Sequence, residues 1–206
     1  ELVRQGMPIL EVMRHREKDF LYAVISDEER AAYRQTEYLL QRGHRRIGFV
    51  GSWPHLSGSI HHMDGYRRAM LDAGIPVDPD LIRTGPATRE SGELNTYLLL
   101  DLPNPPTVIY STSEPILFGT VSALQKRNMS VPDDISLVSN SPAGWLRVWR
   151  PPITITGTPI ASLANTAVDV LLRHIETPAE IGKPVTYFLD APMIEGGSVK
   201  TLTPEE

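Results

Sequence analysis

Residues Gly43 to Gly51 read G-H-R-R-I-G-F-V-G, a helix stop, a short basic hinge and then a buried strand. Gly43 can end a helical run without a Cβ penalty. Ile47, Phe49 and Val50 form the apolar stretch of a strand whose end, Gly51-Ser52, opens into a loop. Helix, strand and loop recur in that order on both sides of this junction.

Five helices are expected. Ala32, Tyr33, Thr36, Leu39 and Leu40 fall on one stripe of Glu29 to Arg42, and Met63, Tyr66 and Met70 do so in His61 to Ala73 before Gly74 and Pro76 end that run. Leu94, Tyr97 and Leu98 line up in Glu90 to Leu102. Leu117, Val121 and Leu124 follow a helix opening at Pro115. In Ile160 to Ile175, Leu163, Ala167, Leu171 and Ile175 repeat every fourth residue, and Val168 and Leu172 are expected to widen the buried face. Strands are expected at Ile9–Val12, Tyr22–Ile25, Ile47–Val50, Thr107–Ser111, Ile135–Ser139, Ile153–Ile155 and Val185–Leu189. Short apolar strands alternating with helices are the pattern of a mainly parallel sheet covered on both faces. The 18 prolines mostly sit between elements, and the tail after Lys200 reads as poorly ordered. Glu1 to Gly6 read as the last turn of a helix, so Glu1 is expected to be a cut within a longer protein.

With 206 residues, 41% of them hydrophobic and 22% charged, the chain suits one large or two small domains. It contains no cysteine, so neither a disulfide framework nor a thiolate metal site is expected, and a cytoplasmic setting is favoured. A formal charge of -5 argues against this segment gripping nucleic acid by itself. No apolar run approaches the ~20 residues of a membrane span, so no membrane partner is expected.

Several segments resemble the effector-binding core of the lactose-repressor (LacI/GalR) family of bacterial transcription regulators. They are Y-L-L-Q-R-G-H-R-R-I-G-F-V-G, D-G-Y-R-R-A-M-L-D-A-G-I-P-V-D-P-D-L-I, P-P-T-V-I-Y-S, V-P-D-D-I-S-L-V, R-P-P-I-T-I-T and A-S-L-A-N-T-A-V-D-V-L-L-R-H-I-E. They follow one another in family order with family spacing, and the resemblance covers nearly every residue from Val3 to Val199. The resemblance implies an α/β, periplasmic-binding-protein-like fold of two doubly wound parallel-sheet subdomains, joined by three crossovers and holding a small-molecule effector in a cleft. Residues 1–43 and 157–189 would form the N-terminal subdomain, and 44–156 with 190–206 the C-terminal one. Against the family pattern the chain lacks the helix-turn-helix, the hinge helix and the first βα units. The N-terminal subdomain is therefore expected to be incomplete, with an open sheet edge. Operator DNA would be bound through a helix-turn-helix absent from this chain.

Ligands of open parallel sheets bind beyond the carboxyl ends of the strands, in the loops after Val50, Tyr110 and Val138. The resemblance places an arginine three residues before Gly65, an Asn-Asp after the middle strand and an aspartate after the next. This chain has His62, Ser113-Glu114 and Ser141 there. Guanidinium and carboxylates clamp vicinal hydroxyls bidentately, whereas serines and a histidine offer fewer and weaker bonds. A standard hexose is therefore not the expected ligand. His62, Ser113, Glu114, Ser141 and Arg89 are the candidate ligand-binding residues. For Ser113 and Ser141 loop capping is the competing role, for Glu114 a charge at a helix start, and for Arg89 an ordinary surface position. No metal is expected at His55, His61 and His62, because adjacent helical residues point about 100° apart and no carboxylate at i+4 completes a set.

Gly144 to Arg150, G-W-L-R-V-W-R, carries Trp145, Leu146, Val148 and Trp149 in a segment otherwise shaped like a surface turn. The resemblance implies that they form a homodimer contact; the competing reading folds both tryptophans into the core. There is no G-x-S-x-G elbow, P-loop, G-x-G-x-x-G or H-E-x-x-H, and no cofactor is expected. The expected role is therefore that of a repressor's effector-binding and dimerisation domain rather than an enzyme. The alternative is a periplasmic solute-binding protein serving a transporter.

Overall fold

In the computed structural model, residues 7–13, 22–141, 144–176 and 185–203 are described. The elements run β1 (Leu10–Val12), β2 (Tyr22–Ser26), α1 (Glu28–Gln41), β3 (Ile47–Ser52), α2 (Ser57–Asp72), β4 (Ile82–Gly85), α3 (Arg89–Leu100), β5 (Val108–Ser111), α4 (Glu114–Lys126), β6 (Ser136–Asn140), β7 (Thr154–Thr156), α5 (Ile160–Glu176), β8 (Thr186–Leu189) and β9 (Met193–Ile194). All five expected helices and seven expected strands are present, and two strands are additional. The helix turn expected before Met7 lies outside the described residues.

Two units are distinguished, 1–27 with 158–191 and 28–157 with 192–206, so the chain passes between them three times. The expected boundary at residue 43 differs from this one, because α1 packs along α2 in the larger unit. Gly65 makes that approach possible: a Cβ there would overlap the Glu29 carbonyl oxygen and crowd Ala32.

The smaller unit is a three-stranded parallel sheet, β1-β2-β8, with α5 against it. Leu163, Ala167 and Val170 pack on Val24. The expected widening through Val168 and Leu172 does not occur, for both are about half exposed, as is Ile175. Phe188 and Val12 are also exposed.

The larger unit has a six-stranded sheet, β4-β3-β5-β6-β7-β9, parallel except for β9. Successive strand residues point to opposite faces and split the core in two. Val50, Ile109 and Leu137 join Leu99, Leu117 and Leu124 of α3 and α4. Phe49, Tyr110 and Val138 join Leu39, Tyr66 and Met70 of α1 and α2. The Phe49 ring lies 5.3 Å from that of Tyr66 and 5.4 Å from that of Tyr110.

On α3 the expected stripe is reversed. Leu94 and Leu98 are exposed, and Gly92, Asn95, Thr96 and Leu99 are inward. Small side chains are needed there because α3 and α4 cross closely: a Cβ on Gly92 would meet the Ile116 carbonyl, and one on Gly119 the Arg89 carbonyl. Thr96 and Thr120 pair their hydroxyls at 3.1 Å across the same contact.

The tail is also tied down, contrary to expectation as far as residue 203. The Leu137 N–H donates to the Ser198 carbonyl at 2.9 Å, and the Leu202 N–H to the Arg42 carbonyl at 2.8 Å. Leu202 lies against Gly43, whose φ of +88° puts it in the left-handed region.

Candidate functional site

β3, β5, β6 and β7 run parallel and end together, so the residues that close them share one rim of the larger unit's sheet. Asn140, the last residue of β6, is its hub. Its side-chain carbonyl accepts from the Tyr110 hydroxyl at 2.9 Å and the Thr156 hydroxyl at 2.7 Å. Its amide donates to Glu28 Oε2 at 3.5 Å. That oxygen also lies 2.9 Å from His62 Nε2, and because a carboxylate only accepts, the ring nitrogen carries the proton. Burial, and then the Glu28 charge, push the Tyr110 phenol well above its ordinary value, so it remains a neutral donor.

The expected ligand residues are placed unequally. His62 is largely buried and faces Glu28 rather than standing alone. Ser113 precedes α4 but makes no side-chain cap, and its hydroxyl is buried without a partner. Ser141, next to Asn140, is 1% exposed. The Glu114 carboxylate accepts from the Trp145 indole N–H at 2.7 Å, which ties it to the neighbouring aromatic segment. Arg89 is turned away, its guanidinium donating to the Ser122 hydroxyl on α4 at 3.3 Å. The strand-end rim thus brings together His62, Glu28, Asn140 and Ser141 and leaves Arg89 out. Among the described residues no group of three His, Cys, Asp or Glu side chains could hold a metal ion, and no helix is long and apolar enough to cross a membrane.

Residues 36–199 match the periplasmic binding protein-like domain. A probable opine utilization operon repressor from Rhizobium rhizogenes is 33% identical over 182 residues, covering 84% of this chain and 90% of that protein. The repressor CytR of Escherichia coli is 29% identical over 85% of this chain, which spans only 51% of CytR. A putative LacI transcriptional regulator from Bacillus cereus superimposes with a TM-score of 0.88 at 28% identity, covering 98% of this chain and 71% of that one. The chain belongs to the periplasmic-binding-protein-like family of LacI-type regulators.

Within this LacI-type core, the Trp145–Trp149 segment is only partly the surface patch expected. Leu146 is fully buried in the main core and so presents no surface for a partner. Trp145 and Trp149 are partly buried against that core, with ring centroids 6.3 Å apart. Val148 is 72% exposed. Phe118, which sequence reasoning missed, stacks on Trp145 at 4.5 Å and remains 46% exposed.

Glu28 and Asn140 are the other residues of this candidate site that the sequence reading did not single out. Glu28 reads as an acidic helix start in D-E-E-R, and Asn140 sits one residue before the expected Ser141. A signal for Asn140 was present, since it directly ends an apolar strand. The pairing of Glu28 with His62 spans 34 residues and has no local signature.

Proposed function

We propose that this chain is the effector-binding and dimerisation core of a cytoplasmic, DNA-binding bacterial repressor. The observation that carries the reading is the strand-end network of Glu28, His62, Asn140, Tyr110 and Thr156. It gathers ionisable and hydrogen-bonding groups where ligands of parallel sheets bind. The repressor names of its relatives support this over a transporter's solute-binding protein. The reading assigns no catalytic role.

The effector is a small molecule held by His62, Ser113 and Ser141, with Glu114 positioned at the edge by Trp145. Glu28 occupies His62 where a sugar clamp would need a free guanidinium, so the effector is not a standard hexose. Val148, Phe118, Trp145 and Trp149 form the homodimer contact, and operator DNA is bound by a head preceding this chain. Effector binding acts on that head by favouring one of two conformations.

The reading frame upstream of Glu1 tests the assignment. A helix-turn-helix and hinge within about 120 codons are expected; a secretion signal there overturns it. Calorimetric titration with hexoses should give no saturable signal, and micromolar binding of one would contradict the proposed effector class.

A further inference from the structure

A cavity of about 440 Å³ lies in the larger unit beside the β3–β4 edge of its sheet, lined by Phe49, Ile60, Met63, Ile82, Thr84 and the charged pair Asp64 and Arg67, among others. That volume falls within the range of small-molecule pockets, about 300–1,000 Å³. Ile60, Met63, Asp64 and Arg67 share one face of α2. At about 100° per residue that face points away from His62, so this cavity is set apart from the Glu28–His62–Asn140 network.

Asp64 and Arg67 are exposed, stand one helical turn apart, and make no hydrogen bond or ion pair among the described residues. Opposite charges at that spacing ordinarily meet. Here both remain available at the rim of a cavity with an apolar floor. Ser52 also lines it, and its hydroxyl is buried without a partner.

We propose that this cavity is a second small-molecule site, one that takes an α-amino acid zwitterion with an apolar side chain. Arg67 presents its guanidinium fork to the carboxylate, and Asp64 accepts from the ammonium group. Phe49, Ile60, Met63 and Ile82 cover the side chain, and the Thr84 hydroxyl serves either charged end. A neutral sugar would leave both charges unused, and a phosphate would meet the Asp64 carboxylate.

The test is calorimetric titration of the chain with L-methionine, L-leucine and L-phenylalanine. Saturable binding of at least one is expected. Arg67→Gln and Asp64→Asn should each weaken it at least tenfold, and the probe's N-acetyl derivative and methyl ester should fail to bind. His62→Ala should leave it unchanged, separating this site from the effector site. Both charged positions are exposed, so the variants should keep the parent's circular dichroism spectrum and melting point. Absence of saturation by all three up to about 10 mM, weaker than millimolar affinity, overturns the proposal. So does binding that is indifferent to both charge substitutions or lost in His62→Ala.

Discussion

His62 and Glu28 face each other across the opening turns of α2 and α1, with 2.9 Å between Nε2 and Oε2. The pair is mostly shielded from water, with side-chain exposures of 11% and 20%, and Asn140 shares the same carboxylate oxygen. Glu28→Gln keeps the size of the side chain but removes the charge that orients the ring. A melting point within a few degrees of the parent is expected, since a partly exposed pair contributes about 1 kcal/mol. Effector affinity, once an effector has been found by screening, should fall about tenfold, as for the loss of one oriented hydrogen bond. Unchanged affinity in both Glu28→Gln and His62→Ala would remove the strand-end network from the effector site.

Acid should destabilise the larger unit through His44. Its ring is buried, with Nδ1 2.8 Å from the Thr107 hydroxyl and Nε2 3.1 Å from the Lys200 carbonyl. Burial chiefly, with the Lys200 and Arg42 charges adding, pushes the imidazole from 6.5 down to about 4. The unfolded chain therefore takes up this proton first as the pH falls. Stability from His44 is complete above pH 6.5 and is lost towards pH 4, a change of about 3 kcal/mol at most. Urea unfolding between pH 7.5 and 4.5 should show this slope, and His44→Gln should flatten it.

Gly119→Ala should destabilise the protein even though alanine is the better helix former by about 1 kcal/mol. Its methyl group would press on backbone, the Arg89 carbonyl and the Glu93 nitrogen, which no rotamer change relieves. A net loss of about 2 kcal/mol is expected from urea unfolding. Gly58→Ala is the control, because nothing lies within 4 Å of its added carbon and its stability should hold or rise.

Ser198 anchors the tail with one hydroxyl. It accepts from the Thr154 N–H at 2.8 Å and donates to the Leu137 carbonyl at 2.6 Å, both buried. Ser198→Ala strands a strand N–H and a strand carbonyl away from water, at a cost of about 2 kcal/mol. Thermal melting should register it, whereas Thr201→Ala, at an exposed position, should be close to neutral.

Glutamate at Val148 or Phe118 should give a monomer in light scattering. Val148 is the better probe, since at 72% exposure it can change without disturbing the fold. Dimers persisting in both variants would remove this surface from the proposed contact.

The helices were legible because their caps and apolar spacing agree, as Pro115 and the Leu117–Val121–Leu124 stripe show. On α3, spacing was read correctly as helix but facing was not. Inward positions there demand small residues for a close helix crossing, so the leucines were left outside. The β4 strand escaped because I-R-T-G is an edge segment, only partly buried and lacking the apolar run that marks central strands. For the candidate site, the strand-end loops were predictable from the fold, and His62 and Ser141 lie there. What local sequence does not encode is partner choice. Glu28 meets His62, and Arg89 meets Ser122, only because helices distant in sequence are laid side by side.

The docking of residues 198 and 202 on Leu137 and Arg42 also sets an order of events during synthesis. Residues 28–157 can emerge from the ribosome and lay down five parallel strands, yet the buried Thr154 N–H and the groove beside Gly43 wait for a segment made some forty residues later. Until that segment is made, the larger unit is a nearly finished sheet without its clasp. A nascent chain halted before Ser198 should be cut readily by protease at sites that the released protein protects.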